Sequence, residues 1–325
     1  MKKQTVFWII ILVIVFPQVL FTSLERTPTK AQRDRENSDD QVIQPRLIRV
    51  LDGETVRNME LDTYIAGVVL GEMPADFEEE ALKAQAVASR TYTLRKAARR
   101  GKHRDADVCT DAACCQAFVN VSEYSGDSEN LEKVMRAVSE TAGQVVTYNG
   151  NLIEATYFSC SGGRTEDAVS VWGSSVPYLQ SVDSPGEEES VRYETQVSLP
   201  LETLLAKLGL SHPVNLSDFH VELTYTDGGG VDIMCIGDTT FRGTDVRTML
   251  ALPSTAFTVN ISGDTVLFTV KGNGHRVGMS QYGADAMAVA GKTYDEILCH
   301  YYSGTKLETY TQEQINAIFD KAEIL

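Results

Sequence analysis

MELDTYIAGVVLGEMPADFEEEALKAQAVASRTY, residues 59–92, decides how the chain folds. Leu61, Tyr64, Ile65, Val68 and Val69 recur at helical spacing, which predicts a short buried helix ending at Pro74. A second helix opens at once. Asp76 with Glu79 three residues on makes a capping-box pattern, and Leu82, Ala86 and Tyr92 mark an apolar side that runs to about Arg100. The two helices then form a corner around Met73 and Pro74.

Five carboxylates crowd this corner. Asp76, Glu78, Glu79 and Glu80 fall at the cap and first turn of the second helix, where the dipole and exposed N–H groups favour negative charge. Glu72 differs, because it stands at the negative end of an apolar helix. A part-buried carboxyl there has a raised pKa, the property a general acid needs at neutral pH. A surface glutamate in a turn accounts for the same residue, and side-chain physics leaves both readings open. Lys83 and Arg90, seven apart, share one face of the second helix. They either line a groove that Glu72 faces or form a solvated basic stripe.

Upstream, Val6 to Leu24 is free of charge and follows Lys2 and Lys3, which predicts a membrane anchor at 6–24 with residues 1–5 cytoplasmic. A cleaved signal peptide would show an Ala-x-Ala site, and none follows, so an uncleaved anchor is favoured. Residues 25–44 are too polar to build a core and read as a linker to a folded, extracytoplasmic part at 45–325. Without Lys2 and Lys3, 27 basic residues face 45 acidic ones, a balance of −18. Such a surface repels nucleic acid and permits a neutral or amine-bearing polymer.

Downstream, Leu131, Val134, Met135 and Val138 mark a third helix closed by Gly143, and QVVTYNGNLIEATYF reads as two strands joined by Asn149-Gly150. HVELTYTDGGGVDIMCI and FTVNISGDTVLFTV each read as a strand pair, with a short helix in GTDVRTMLAL between them. Three helices follow, in SQYGADAMAVAG, in TYDEILCHYYSG with Thr293 and Glu296 in capping-box positions, and in TQEQINAIFDKAEIL. Helices and strands come in runs rather than alternating. The expected class is α+β, a helical catalytic part with antiparallel hairpins and a strand-rich subdomain inserted near 194–270.

Three further stretches carry candidate chemistry. HRDADVCTDAACCQ places His103, Cys109, Cys114 and Cys115 within thirteen residues, which suits a structural tetrahedral zinc. An exported chain with six cysteines also suits disulfides, although adjacent Cys114 and Cys115 make a simple pairing awkward. In YFSCSGGRTE the glycines let backbone approach a ligand or a tight turn, Ser161 offers a hydroxyl, and Cys160 reads better as a buried thiol than as a nucleophile. GNGHRVGMSQYGADAMA sets His275, Ser280, Gln281 and Tyr282 on a glycine-rich loop leading into a helix, a polar and aromatic mixture suited to gripping sugars. A structural loop would need the same glycines. A phosphate loop is disfavoured because no Gly-Lys-Ser/Thr follows.

Taken in order, LDTYIAGVVLGEMPADFEEEALKAQAVASRTYTL, YFSCSGGRTE and GNGHRVGMSQYGADAMA resemble the opening, middle and closing motifs of the stage II sporulation protein D family. These are membrane-anchored lytic transglycosylases of endospore engulfment, and the resemblance covers the chain from about Ile48. It implies that Glu72, before Met-Pro, is the catalytic acid and that Lys83 and Arg90 line the groove. It implies zinc at His103, Cys109 and Cys115, with Cys114 where a histidine is expected. That change leaves one histidine and three cysteines, still a zinc set; a Cys109–Cys115 disulfide is the alternative. Tyr157, Ser161, His275, Ser280, Gln281 and Tyr282 are candidates for positioning substrate.

The implied substrate is peptidoglycan glycan already stripped of stem peptides, the implied partners an engulfment amidase and membrane scaffold proteins. The absence of a second carboxylate in a comparable setting fits a reaction that uses the sugar's own nucleophile. A non-catalytic glycan-binding scaffold would use the same cleft. A zinc-dependent hydrolase would need an open metal position, which four available ligands speak against.

Overall fold

The computed structural model describes residues 47–99, 103–210 and 220–324. The expected anchor at 6–24, the residues before it and the linker at 25–44 lie outside the described residues. Among the described residues, no helix is long and apolar enough to cross a membrane.

The fold is mixed α+β with several small sheets. A hairpin of β1 (Ile48–Asp52) and β2 (Thr55–Met59) leads into helices α1 (Leu61–Glu72) and α2 (Glu79–Arg99). Strand β3 (Val108–Cys109) then adds to β1 in parallel. Pro74 cannot continue α1, and its C-cap Met73 is already extended. The second helix starts at Glu79, later than the Asp76 box predicts. Phe77, buried edge-on against Tyr282, pulls residues 74–77 into a turn, and Asp285 accepts the Glu78 N–H from across the fold (2.8 Å). A distant side chain has replaced the local cap.

Helix α2 is the axle of the larger core, packed by α1, by α3 (Ser128–Glu140) and by the C-terminal helices. Its alanines at 81, 84, 86, 88 and 97 are all buried and let neighbours approach closely. Strand β4 (Gln144–Tyr148) turns through Asn149 and Gly150, both at positive φ, into β5 (Asn151–Leu152), as the Asn-Gly pair predicts. The second strand stops there, and Tyr157–Phe158 forms a separate β6. Helix α4 (Ala168–Trp172) ends on Gly173 in the left-handed conformation.

The next segment holds an apolar core of its own, from Leu201 to Val270. It contains β7 (Glu194–Pro200), α5 (Leu201–Lys207), β8 (Val221–Tyr225), β9 (Val231–Ile236), β10 (Thr239–Arg242), α6 (Gly243–Leu250), β11 (Ala256–Ser262) and β12 (Thr265–Lys271). The chain returns through β13 (Met279–Ser280), α7 (Gln281–Val289), α8 (Tyr294–Tyr301), β14 (Lys306–Thr309) and α9 (Gln312–Ile324). Thr293 and Glu296 form the expected capping box of α8.

The middle and closing motifs, over a hundred residues apart in sequence, lie side by side. Strand β6 pairs in parallel with β13, Cys160 bridges Asn273, and Glu166 bridges Val277. This zipper sets His275 beside Tyr157 and Phe158, facing the end of α1.

Candidate active site

Glu72, the last residue of α1, opens on a cleft of about 350 Å³. One wall is the Ala112–Cys115 loop, and the other is Thr156–Ser159 with Gly274 and His275. Glu72 is the one carboxyl group among the lining residues. Burial raises its pKa above the ordinary value, while the Ala117 N–H and the Tyr157 hydroxyl pull it partly back. The Ala117 N–H donates to Oε1 at 2.6 Å.

That contact depends on two glycines which sequence reading missed. Gly67 and Gly71 stand four apart on α1, so they share a face. A Cβ on Gly71 would meet the Phe118 backbone N at 2.7 Å, and one on Gly67 would collide with the Phe118 ring. Residues 117–119 therefore lie as a strap on the bare helix, with Val119 N–H bonded to Gly67 C=O (2.9 Å). The spacing Gly-x-x-x-Gly just before Glu72 was the available signal.

The strap issues from the cysteine cluster. Ligand atoms of His103, Cys109, Cys114 and Cys115 all lie within 4.8 Å of one another. His103 Nε2 stands 3.4 Å from Cys115 Sγ and 3.5 Å from Cys114 Sγ. Donors of a tetrahedral zinc stand roughly 3.3–3.8 Å apart, so the set fits that ion with small side-chain adjustments. No disulfide joins any of the six cysteines, all of which are described residues.

Next to the cluster, buried Gln116 accepts from Thr93 (2.8 Å) and donates to the Tyr157 hydroxyl (2.8 Å). Tyr157 is thereby held over the cleft as a neutral phenol, its pKa driven far up by burial and by Glu72. His275 is neutral as well, because burial and the nearby Arg247 guanidinium lower it to about 4. Its Nδ1 accepts the Val277 N–H (3.1 Å), which leaves the proton on Nε2.

Other sequence candidates sit elsewhere. Arg90 does not line the groove: fully buried, it bonds Asp62 and the carbonyls of Val138, Thr141 and Gln144, capping α3 and tying it to α1 and β4. Lys83 is engaged by Glu79, Glu80 and Glu140, away from the cleft lining. Ser161 is buried and gives both its N–H and its hydroxyl to Glu187. Ser280 caps α7 through the Gly283 N–H, Gln281 is buried, and Tyr282 packs on Phe77. Of the substrate candidates, Tyr157 and His275 alone line the cleft.

The middle motif is therefore a structural knot. Glu187 Oε2 accepts from Cys160, Ser161 and Gly162, and Oε1 from Ser184. Burial and then the Glu187 charge push the Cys160 thiol up to about 12, which disqualifies it as a nucleophile. Glu166 pairs with buried Arg276 (3.1 Å) and accepts from Thr226 and the Gly230 N–H, clamping the β8–β9 turn onto the main body. A Cβ on Gly228 would meet the Glu166 carboxylate at 2.6 Å, so the turn needs glycine there.

A family model described as "Stage II sporulation protein" matches residues 52–148, the stretch from β1 through Glu72, the cysteine cluster and β4. Stage II sporulation protein D of Bacillus subtilis (strain 168) is 38% identical over 262 residues, covering 78% of this chain and 76% of that protein. The protein of that name from Bacillus amyloliquefaciens is 38% identical over 261 residues, with 78% and 75% covered. "Amidase enhancer" of Bacillus subtilis (strain 168) is 32% identical over 301 residues, with 76% of this chain and 40% of the longer protein aligned. Identity at this level, spread over three quarters of both chains, reaches well beyond the corner and the cluster, and the chain belongs to the stage II sporulation protein D family.

Proposed function

We propose that the chain is a peptidoglycan lytic transglycosylase of sporulation, cutting the β-1,4 bond from N-acetylmuramic acid to N-acetylglucosamine in peptide-stripped strands. The observation that carries this reading is the single carboxyl group of the cleft, part-buried and with a raised pKa. Hydrolytic glycosidases pair two carboxylates across the bond, whereas one suffices when the sugar supplies the nucleophile.

Protonated Glu72 donates its proton to the glycosidic oxygen as the C1–O bond breaks, releasing the 4-hydroxyl of the glucosamine unit. The Glu72 carboxylate then takes the proton of the muramyl 6-hydroxyl while O6 bonds to C1. No water is consumed, and Glu72 ends protonated again. Tyr157 and the Ala117 N–H hold the carboxyl in place through both transfers. In this reading His103, Cys109, Cys114 and Cys115 would hold a structural zinc, which would cross-link the loop that carries the strap.

Membership of the sporulation family, with the uncharged run at 6–24, supports a wall-facing domain behind a membrane anchor. The name of one relative, amidase enhancer, supports an amidase as the partner that strips the strands. The test is to incubate the full-length chain with peptide-free glycan strands and read new chain ends by mass spectrometry. Anhydromuramyl ends are expected. Reducing ends alone would make the enzyme a hydrolase, and intact strands that still bind would favour a scaffold.

A further inference from the structure

Helix α2 carries a polar stripe through the larger core. Gln85, Ser89 and Thr93 stand four apart, so they share one face of the helix, and all three are fully buried. Polar groups this deep are costly unless their hydrogen bonds are made, and here the bonds lead toward the cleft. Gln85 Nε2 donates to Ser89 Oγ (3.0 Å), and Thr93 Oγ1 donates to Gln116 Oε1 (2.8 Å). Gln116 Nε2 then donates to the hydroxyl of Tyr157 (2.8 Å), which lines the cleft together with Glu72.

Gln116 and Ala117 are consecutive residues of the strap, and they bring two donors to one place. The Ala117 N–H reaches Glu72 Oε1 directly (2.6 Å). The Gln116 amide reaches the phenol that hydrogen-bonds the same carboxyl group. A phenol has one proton and two lone pairs. One lone pair takes the Gln116 N–H; the other takes the hydroxyl of Ser89, whose own oxygen already accepts from Gln85. The single Tyr157 proton is left for Glu72. Thr93 sets the direction, because its hydroxyl holds Oε1 and turns the nitrogen of the Gln116 amide toward the phenol. A reversed amide would present an oxygen there and draw the proton away from Glu72.

We infer that Thr93 and Gln116 are positioning residues, which act through Tyr157 to hold an O–H dipole on Glu72, ready for the negative charge that develops as Glu72 gives up its proton. The role rests on the glycan reaction proposed above and adds to it the residues that aim the phenol. A donor fixed in advance stabilises developing charge without having to reorganise. Gln116 is 1% exposed, Thr93 is fully buried, and neither lines the cleft, so the effect falls on turnover and not on substrate binding.

The test measures kcat and KM for the release of new chain ends from peptide-free strands by the full-length chain, with a thermal midpoint for every variant. Thr93→Val and Gln116→Met keep the shape of each side chain and remove its hydrogen bonds. Each is expected to lower kcat about tenfold, the range of one hydrogen bond to a charged group, with KM within about twofold of the parent. Thr93→Ser restores the hydroxyl and should recover most of the loss. In a Tyr157→Phe background, with no phenol left to aim, Thr93→Val and Gln116→Met should cost little more. A loss that persists undiminished in that background, a loss that appears in KM, or a Thr93→Val protein with the parent kcat overturns the role. Should Gln116→Met fail to fold, the two substitutions at Thr93 decide the matter alone. A folded parent that leaves the strands uncut overturns the glycan reading, and this role with it.

Discussion

The protein buries carboxylates in two regions and treats them in opposite ways. In the knot between the middle and closing motifs, Glu166 faces a guanidinium, a hydroxyl and a backbone N–H, and Glu187 accepts from four residues. At the α1 corner, Glu72 has one backbone N–H, one phenol and no cation. Burial raises the pKa of Glu166 as it does that of Glu72. At Glu166 the Arg276 guanidinium opposes that rise, and the converging donors make the carboxyl a structural part. Glu72, with few partners at the edge of a cleft, keeps a proton that can be given and taken back.

The largest effect expected from breaking this contrast comes from the cysteine cluster, because the strap that seats Glu72 hangs from it. Chelation should release the strap, lower the thermal midpoint by tens of degrees and abolish cleavage, since structural zinc binding is itself folding free energy. Zinc content measured alongside the melt checks the assignment, and Cys109→Ser with unchanged zinc would reject the ligand set.

Glu166→Ala comes next. It strands Arg276 in the interior and should cost about 3–5 kcal/mol in denaturant titration, the usual penalty for breaking a buried pair from one side. Activity per folded molecule should survive. Gly71→Ala is smaller and more telling: the added methyl meets the Phe118 and Ala117 backbone, so about 1–3 kcal/mol of stability should go, with cleavage impaired beyond that loss.

The smallest effect is a shift in pH dependence. On the proposed mechanism cleavage needs protonated Glu72, so its rate should fall as pH rises through the Glu72 pKa, which burial has raised. The Tyr157 hydroxyl lowers that pKa. Tyr157→Phe should therefore move the alkaline limb to higher pH, whereas a purely structural role for the phenol would leave the limb in place.

Much of this was legible in the sequence wherever local chemistry decides. Pro74 ended α1, Asn149-Gly150 made its turn, Thr293 and Glu296 made their box, and four soft ligands within thirteen residues came together. The misreadings share one cause, which is long-range contact. Asp76 lost its capping role to Asp285, more than two hundred residues away. Arg90 lies on a helix buried nearly all round, so periodicity could not tell a groove face from a core face. Glu187 sits in an unremarkable acidic run, DSPGEEES, and only the fold brings Ser161 to it.

The contrast is tested most directly by setting Glu72→Gln beside Glu166→Gln, with cleavage of peptide-free strands and thermal midpoint measured on both. Glu72→Gln should lose cleavage by about a thousandfold, within the range of a general acid. At neutral pH it should melt no lower than the parent and somewhat higher, because a carboxylate that burial penalises is gone. That gain should vanish below the carboxylate pKa of the unfolded chain, where Glu72 is protonated in both states. Glu166→Gln should show the reverse, a lower midpoint with cleavage kept per folded molecule. A Glu72→Gln protein that cleaves at the parent rate would contradict the account at its centre.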